Sequence, residues 1–146
     1  MSEKDKDDLY YVCSLIEYIA RKTKNHRNYV VNQIGKAGLE KQLYLAQVNH
    51  CLSFEQVSDE LIEEYKIENG DYDTVKECLY DVPSFLSIGN NYKYLILSIN
   101  SKDVVDTLIK VFNSLISDNM SNFNTDFFYQ NPSYHKACYL ANEVLD

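Results

Sequence analysis

Two histidine–cysteine pairs are the residues of this chain with the most evident capacity for chemistry. His50 and Cys51 are neighbours in "QVNHCLSFEQ", and His135 and Cys138 lie near the C-terminus. Two Cys and two His are a common zinc ligand set, but structural sites usually place their paired ligands two to four residues apart. Because His50 and Cys51 are adjacent, their side chains diverge. His50 is expected to face inward at the end of the apolar face of one helix, and Cys138 belongs to the apolar face of another. We therefore expect all four residues to be parts of the fold, with no metal site.

No other motif in the sequence indicates an enzyme. A cysteine nucleophile needs a histidine beside it in space and a third group that orients the histidine. The chain has no glycine-rich turn of the kind that builds an oxyanion site, and it has neither a P-loop nor a GxGxxG motif. The carboxylates of "DELIEEY" (59–65) fall on the polar side of an amphipathic helix, which is the ordinary place for solvated charge. We predict a non-enzymatic protein with no catalytic residues and no cofactor.

The composition is typical of an acidic globular protein. The chain has 146 residues, of which 45% are hydrophobic, so a core can form without disulfides or metals. Its formal net charge of −8 repels nucleic acid and anionic membranes. The acidic N-terminus differs from a signal peptide, and no segment reaches the roughly 18 apolar residues of a membrane span. Without an export signal we expect a reducing, cytoplasmic location, and the four cysteines, which lack CxxC spacing, are expected to be free thiols. The negative charge favours protein partners, and we expect no membrane association.

Scarce glycine and proline, with apolar residues spaced three and four apart, predict an all-α fold. We expect a compact bundle of about seven short helices that forms a single domain, 1–146. A polar turn after the first half suggests an N-terminal four-helix subdomain, 5–66, and a C-terminal helical subdomain, 73–145. Residues 85–99 leave an alternative, because "GNN" followed by alternating apolar residues also fits one small β-hairpin.

Local signals predict where several helices begin and end. Ser53, followed three residues later by Gln56, has the pattern of a capping box. Gly35 should end a short helix over 26–34. The aligned apolar residues of 102–117 predict one continuous helix. These signals position the residues that are candidates for binding.

A basic segment interrupts the acidic chain at residues 21–41. It holds six Lys or Arg residues against one Glu, and its helix, glycine-containing turn and second helix resemble a helix-turn-helix. The second helix, beginning near Leu39, would be the recognition helix. A DNA-binding regulator using residues 21–44 is therefore the alternative function, although nucleic acid suits the overall charge poorly. The residues that would contact phosphate are Lys22, Lys24, Arg27, Lys36 and Lys41.

Tyrosine is over-represented, with 13 tyrosines and no tryptophan. Tyrosine is enriched at protein interfaces because its ring buries area while its hydroxyl stays hydrogen-bonded. An AT-rich genome would also raise the tyrosine content. Because the aromatic residues cannot all face inward, our main hypothesis is a protein-interaction or regulatory module that binds a partner, with a homodimer among the options. The expected binding residues are Tyr10, Tyr18, Phe127, Phe128 and Tyr129.

Four strings carry a resemblance to known proteins: "VVNQIGKAGL", "LYLAQVNHCLSFEQVSDELIEEY", "PSFLSIGNNYKYLI" and "FFYQNPSYHKACYL". They resemble short uncharacterised bacterial domains that accompany toxin or defence-type genes. The resemblance spans most of the chain and includes no catalytic motif. It implies a cytosolic bacterial or phage protein that works through a protein partner, and it transfers no functional residues.

Overall fold

The computed structural model describes residues 1–99 and 102–146, and within those ranges the chain contains helices and no strand. The all-α prediction is confirmed. A helix spans Phe85–Ser98, so the alternative prediction of a β-hairpin over 85–99 is wrong. None of the described helices is both long and apolar enough to cross a membrane. The elements are α1 (Glu3–Thr23), α2 (Arg27–Asn49), α3 (Phe54–Glu64), α4 (Thr74–Glu77), α5 (Phe85–Ser98), α6 (Val104–Phe112), α7 (Leu115–Ser121), a 3₁₀ turn (Phe127–Tyr129) and α8 (Pro132–Ala141).

Two helix boundaries that the sequence predicts, at Ser53 and at Gly35, are present in the structure. The Ser53 hydroxyl accepts a hydrogen bond from the Gln56 amide at 3.0 Å, so α3 begins where the capping pattern predicts. Gly35 interrupts α2 with φ of +75°, a backbone conformation that favours glycine. With ψ of 172° this residue lies outside the helical region, so the first helical segment ends at Gly35 as predicted, and a second segment begins directly afterwards. The label α2 covers both segments, which meet at this kink.

The predicted helix over 102–117 is divided in the structure. α6 ends at Phe112 and α7 begins at Leu115. Between them the Ser114 hydroxyl accepts a hydrogen bond from the Ile116 amide at 3.2 Å. A serine that satisfies nearby backbone groups in this way competes with helix continuation, which explains the break.

The core is built around α1, which packs most closely against α5 and also contacts α2 and α3. Gly89 of α5 permits this approach, because a Cβ at that position would lie 2.7 Å from the backbone nitrogen of Ser14. α1 belongs to the predicted N-terminal subdomain and α5 to the C-terminal one. Buried apolar residues from both halves form one core cluster. The division into two subdomains stays a prediction.

Candidate interaction surface

The two histidine–cysteine pairs lie in different environments. His50 at the end of α2 is exposed, contrary to its predicted inward position, because the buried side of the helix ends at Ala46. Its Nδ1 lies 4.0 Å from the Cys51 sulfur, and in the described part of the chain its ring has no other hydrogen-bond partner. His135 and Cys138 are buried in α8. No group of three or more His, Cys, Asp or Glu residues within 1–99 and 102–146 is placed to hold a metal ion.

The buried His135 of α8 forms a hydrogen bond to the 3₁₀ turn. Its Nε2 lies 2.7 Å from the carbonyl oxygen of Phe127, to which it donates a hydrogen bond. Burial lowers the pKa of His135, and the Phe127 carbonyl opposes this shift in part. The imidazole is therefore held neutral, which suits core packing.

The two predicted tyrosines of α1 are engaged within the protein. Tyr18 is half-buried, and its ring lies 5.8 Å from that of Phe54 and 5.1 Å from that of Phe85. Tyr10 is also half-buried, with the Lys93 ammonium 5.5 Å from its ring centroid. Each ring keeps part of its surface available, but neither projects freely into solvent.

The three predicted aromatics of the 3₁₀ turn differ in exposure. Phe127 is buried, with its ring 4.9 Å from His135, so it serves the core. Phe128 is half-buried, and its carbonyl accepts a hydrogen bond from Asn91 at 3.0 Å. Tyr129 is 66% exposed. The five predicted residues therefore do not form one exposed surface, and Tyr129 is the most accessible of them.

Arg27, a predicted phosphate contact, lies in the core. Its guanidinium forms a two-pronged pair with Glu17, at 2.8 Å from Nε and 2.6 Å from Nη2. Arg21 also reaches Glu17, at 2.7 Å, and donates to the Pro83 carbonyl at 2.6 Å. Burial alone would raise the pKa of Glu17, but the two arginines hold that pKa below its ordinary value. Arg27 is therefore a buried structural cation that phosphate cannot reach.

The remaining cations of the predicted DNA-binding segment are exposed, and most are neutralised by the protein's own carboxylates. Hydrogen bonds to Asp106 and Asp103 raise the pKa of Lys36. Lys24, which ends α1, has no ion pair among the described residues. The other pairs join Lys22 to Asp59 at 2.5 Å, Lys36 to Asp103 at 3.0 Å and to Asp106 at 2.9 Å, and Lys41 to Glu64 at 3.2 Å. The segment thus offers phosphate little free positive charge.

An apolar stripe runs along the solvent side of the second half of α2 and into the following turn. Tyr44 is 84% exposed, Val48 67% and Leu52 38%. Residues four apart share a helix face, so Tyr44 and Val48 are neighbours one turn apart. The sequence contains an indication of this stripe, because residues 43–46 and 48 are all apolar. They lie on several sides of the helix, so a single inward face cannot bury them all and some must be exposed.

Two hollows lie beside the stripe, between α1 and the second half of α2, and we call them together the α1–α2 groove. The first has a volume of about 630 Å³, and the second of about 390 Å³. Apolar side chains line most of both. Those of the first hollow include Met1, Leu9, Leu43, Tyr44, Val48 and Val104, and those of the second Tyr10, Tyr11, Ala46, Phe54 and Leu86.

A polar bridge divides the α1–α2 groove. Asp8 and Gln47 border both hollows, and the Gln47 amide donates to the Asp8 carboxylate at 2.8 Å. Lys4 binds the other oxygen of Asp8 at 3.0 Å. Asp5 borders the first hollow and Asp7 the second, so the side chains that line the groove include three carboxylates and one lysine, Lys4. The groove is apolar within and negative along its α1 edge.

A third hollow, of about 560 Å³, is polar. His26 stacks on Tyr72 with ring centroids 3.7 Å apart, and its Nδ1 lies 2.9 Å from Asp118. No Lys or Arg is among the described residues that line it, whereas its carboxylates are Asp71, Asp73, Glu77 and Asp118. This hollow would repel anions, and the Ser121 hydroxyl on its wall donates a hydrogen bond to the Ser117 carbonyl at 2.9 Å.

Comparisons with models of known families, with curated proteins and with solved structures find no match. The resemblance to bacterial domains that accompany toxin or defence-type genes therefore stays a prediction.

Proposed function

We propose that this chain is a non-enzymatic protein-interaction module that binds a protein partner in the α1–α2 groove. The observation that carries the proposal is the combination of Tyr44 and Val48, both exposed, with the apolar hollows beside them. Extended exposed apolar patches that are rimmed by polar residues are typical of interaction sites. A concave apolar surface with a polar edge is typical of a protein-binding groove.

The proposal moves the binding surface away from the aromatic residues that the sequence indicated. Phe127 is buried and Tyr18 is held in a ring cluster, so truncating either would disturb the core as well as the surface. Tyr10 lines the second hollow and belongs to both surfaces. Tyr129 remains the test residue for the surface predicted from the sequence.

DNA binding receives less support than protein binding. Arg27 is buried against Glu17, and Lys36 is held by two aspartates. Much of the affinity for DNA comes from the counterions that are released when Lys or Arg neutralises phosphate. Cations that are already paired with the protein's own carboxylates would release few counterions on binding DNA. The four cysteines are free thiols, which fits the proposed cytoplasmic location in a bacterial cell.

Site-specific photocrosslinking in the native host tests the proposal. Benzoylphenylalanine replaces Tyr44 or Val48 in two variants, and Tyr80 or Tyr129 in two matched controls that are 71% and 66% exposed. We expect one discrete crosslinked protein at positions 44 and 48, because these residues lie at the edge of the groove. The control positions should give only the diffuse background of random collision.

The partner must then be purified and bound again as an isolated protein. Binding of the purified partner that is lost in Val48→Asp and kept in Tyr129→Asp supports the proposal. Discrete crosslinks at position 129 with none at 44 and 48 would overturn it and restore the surface predicted from the sequence.

A further inference from the structure

We propose that the occupant of the α1–α2 groove is a short amphipathic helix of a partner protein with basic residues beside its apolar face. This inference rests on the proposed function and names the kind of partner. Three features of the groove carry it: its helical walls, its division into two hollows and the sign of its charge.

The walls of the groove favour a helix over an extended strand. A peptide that binds as an added strand needs an exposed sheet edge, and the described residues contain no strand. A groove between two helices instead accepts the apolar face of a third helix. The lining residues of α1 run from Lys4 to Ser14, which at about 1.5 Å per residue is about 15 Å, or nearly three helical turns.

The division of the groove sets the spacing of the partner's anchors. The hydrogen-bonded pair of Asp8 and Gln47 borders both hollows. One apolar anchor would fill the hollow beside Leu43 and Val48, and a second the hollow beside Phe54 and Leu86. Residues one or two turns apart on one face of a helix can straddle such a bridge.

The charge of the groove selects a basic helix. Asp5 and Asp7 are exposed, and neither side chain has an ion pair among the described residues. The ammonium of Lys4 is already bound to Asp8, so the negative sign of the α1 edge is not cancelled. Lysine or arginine flanking the apolar face of the partner would lie opposite these carboxylates, which sets orientation and accelerates encounter.

Synthetic helices are the probes for this inference. The first is a peptide of about 14 residues with leucines on one face and lysines elsewhere. Its twin replaces each lysine with glutamate, and a third peptide keeps the leucine and lysine composition but scatters the leucines. Fluorescence anisotropy of labelled peptides measures each affinity for the full chain at about 50 mM and about 300 mM salt.

The leucine–lysine helix should bind at least about 10-fold more tightly than either comparison peptide. Asp5→Asn with Asp7→Asn should weaken its binding about 5- to 10-fold at the lower salt. The matched control, Glu63→Gln with Glu143→Gln, changes the net charge equally at exposed sites outside the groove and should change binding less than twofold. Circular dichroism of each variant confirms that the fold is kept.

The outcomes separate the inference from the proposed function. Equal binding of the scattered peptide would mean nonspecific attraction to an acidic protein and would overturn the inference. Equal binding of the glutamate helix, or no binding of any helix, would also overturn it, whereas crosslinking at Tyr44 decides the proposed function independently. If light scattering shows a dimer and Val48→Asp dissociates it into monomers, the occupant of the groove is a second copy of the chain and the inference is overturned.

Discussion

Glu17 and Arg27 show how far a single residue's role can differ from its sequence context. Arg27 belongs to a basic segment, and the sequence therefore predicts an exposed cation. In the structure its guanidinium is buried against Glu17, a carboxylate ten residues earlier on α1. Local spacing cannot predict this pair, because it forms only after α2 folds back onto α1. Buried charges need such partners, and an arginine offers the geometry of two parallel hydrogen bonds to one carboxylate.

Arg27→Met should lower the free energy of unfolding by about 3–5 kcal/mol, because it leaves the Glu17 carboxylate buried with one of its two arginine partners removed. Lys22→Met removes the exposed pair with Asp59 and should cost less than about 1 kcal/mol. Urea unfolding at neutral pH measures both. Equal stability of the two variants would show that the pair with Arg27 contributes no more than a surface contact.

At the scale of the helices, the sequence predicted those helix positions that depend on nearby residues along the chain. The capping pattern at Ser53 placed the start of α3, and the three-four spacing of apolar residues predicted a helix where α5 lies. The break at Ser114 was missed because the apolar period continues across it, whereas the serine cap acts over only two residues. The α1–α2 groove was missed for a different reason, since it depends on how two helices lie against each other.

The contact between α1 and α5 depends on Gly89. A methyl group there would overlap the side chain of Ser14 and approach its backbone nitrogen to 2.7 Å. Gly89→Ala should therefore destabilise the protein by about 1–3 kcal/mol through overpacking, although alanine in an open helix position would stabilise by up to about 1 kcal/mol. Thermal and urea unfolding provide the comparison. A variant as stable as the wild type, or more stable, would refute the close approach of these helices.

On the scale of the whole molecule, the distribution of charge matters more than its total. The chain carries a net charge of −8, yet its basic segment and its acids largely neutralise each other through Lys22, Lys36 and Lys41. On the α1 edge of the groove, the side chains of Asp5 and Asp7 have no ion pair with any residue of 1–99 or 102–146. Composition alone predicted protein partners, but which surface is left unpaired is a property of the folded chain.

The central claim is that the α1–α2 groove holds the protein partner, and the affinity of the purified crosslinking partner for two aspartate variants tests it most directly. Val48→Asp places a charge at the apolar edge of the groove, whereas Tyr129→Asp places the same charge on the surface predicted from the sequence. Isothermal titration should show at least about 30-fold weaker binding for Val48→Asp and a change below about twofold for Tyr129→Asp. Wild-type affinity in Val48→Asp, or a comparable loss in Tyr129→Asp alone, would contradict the account.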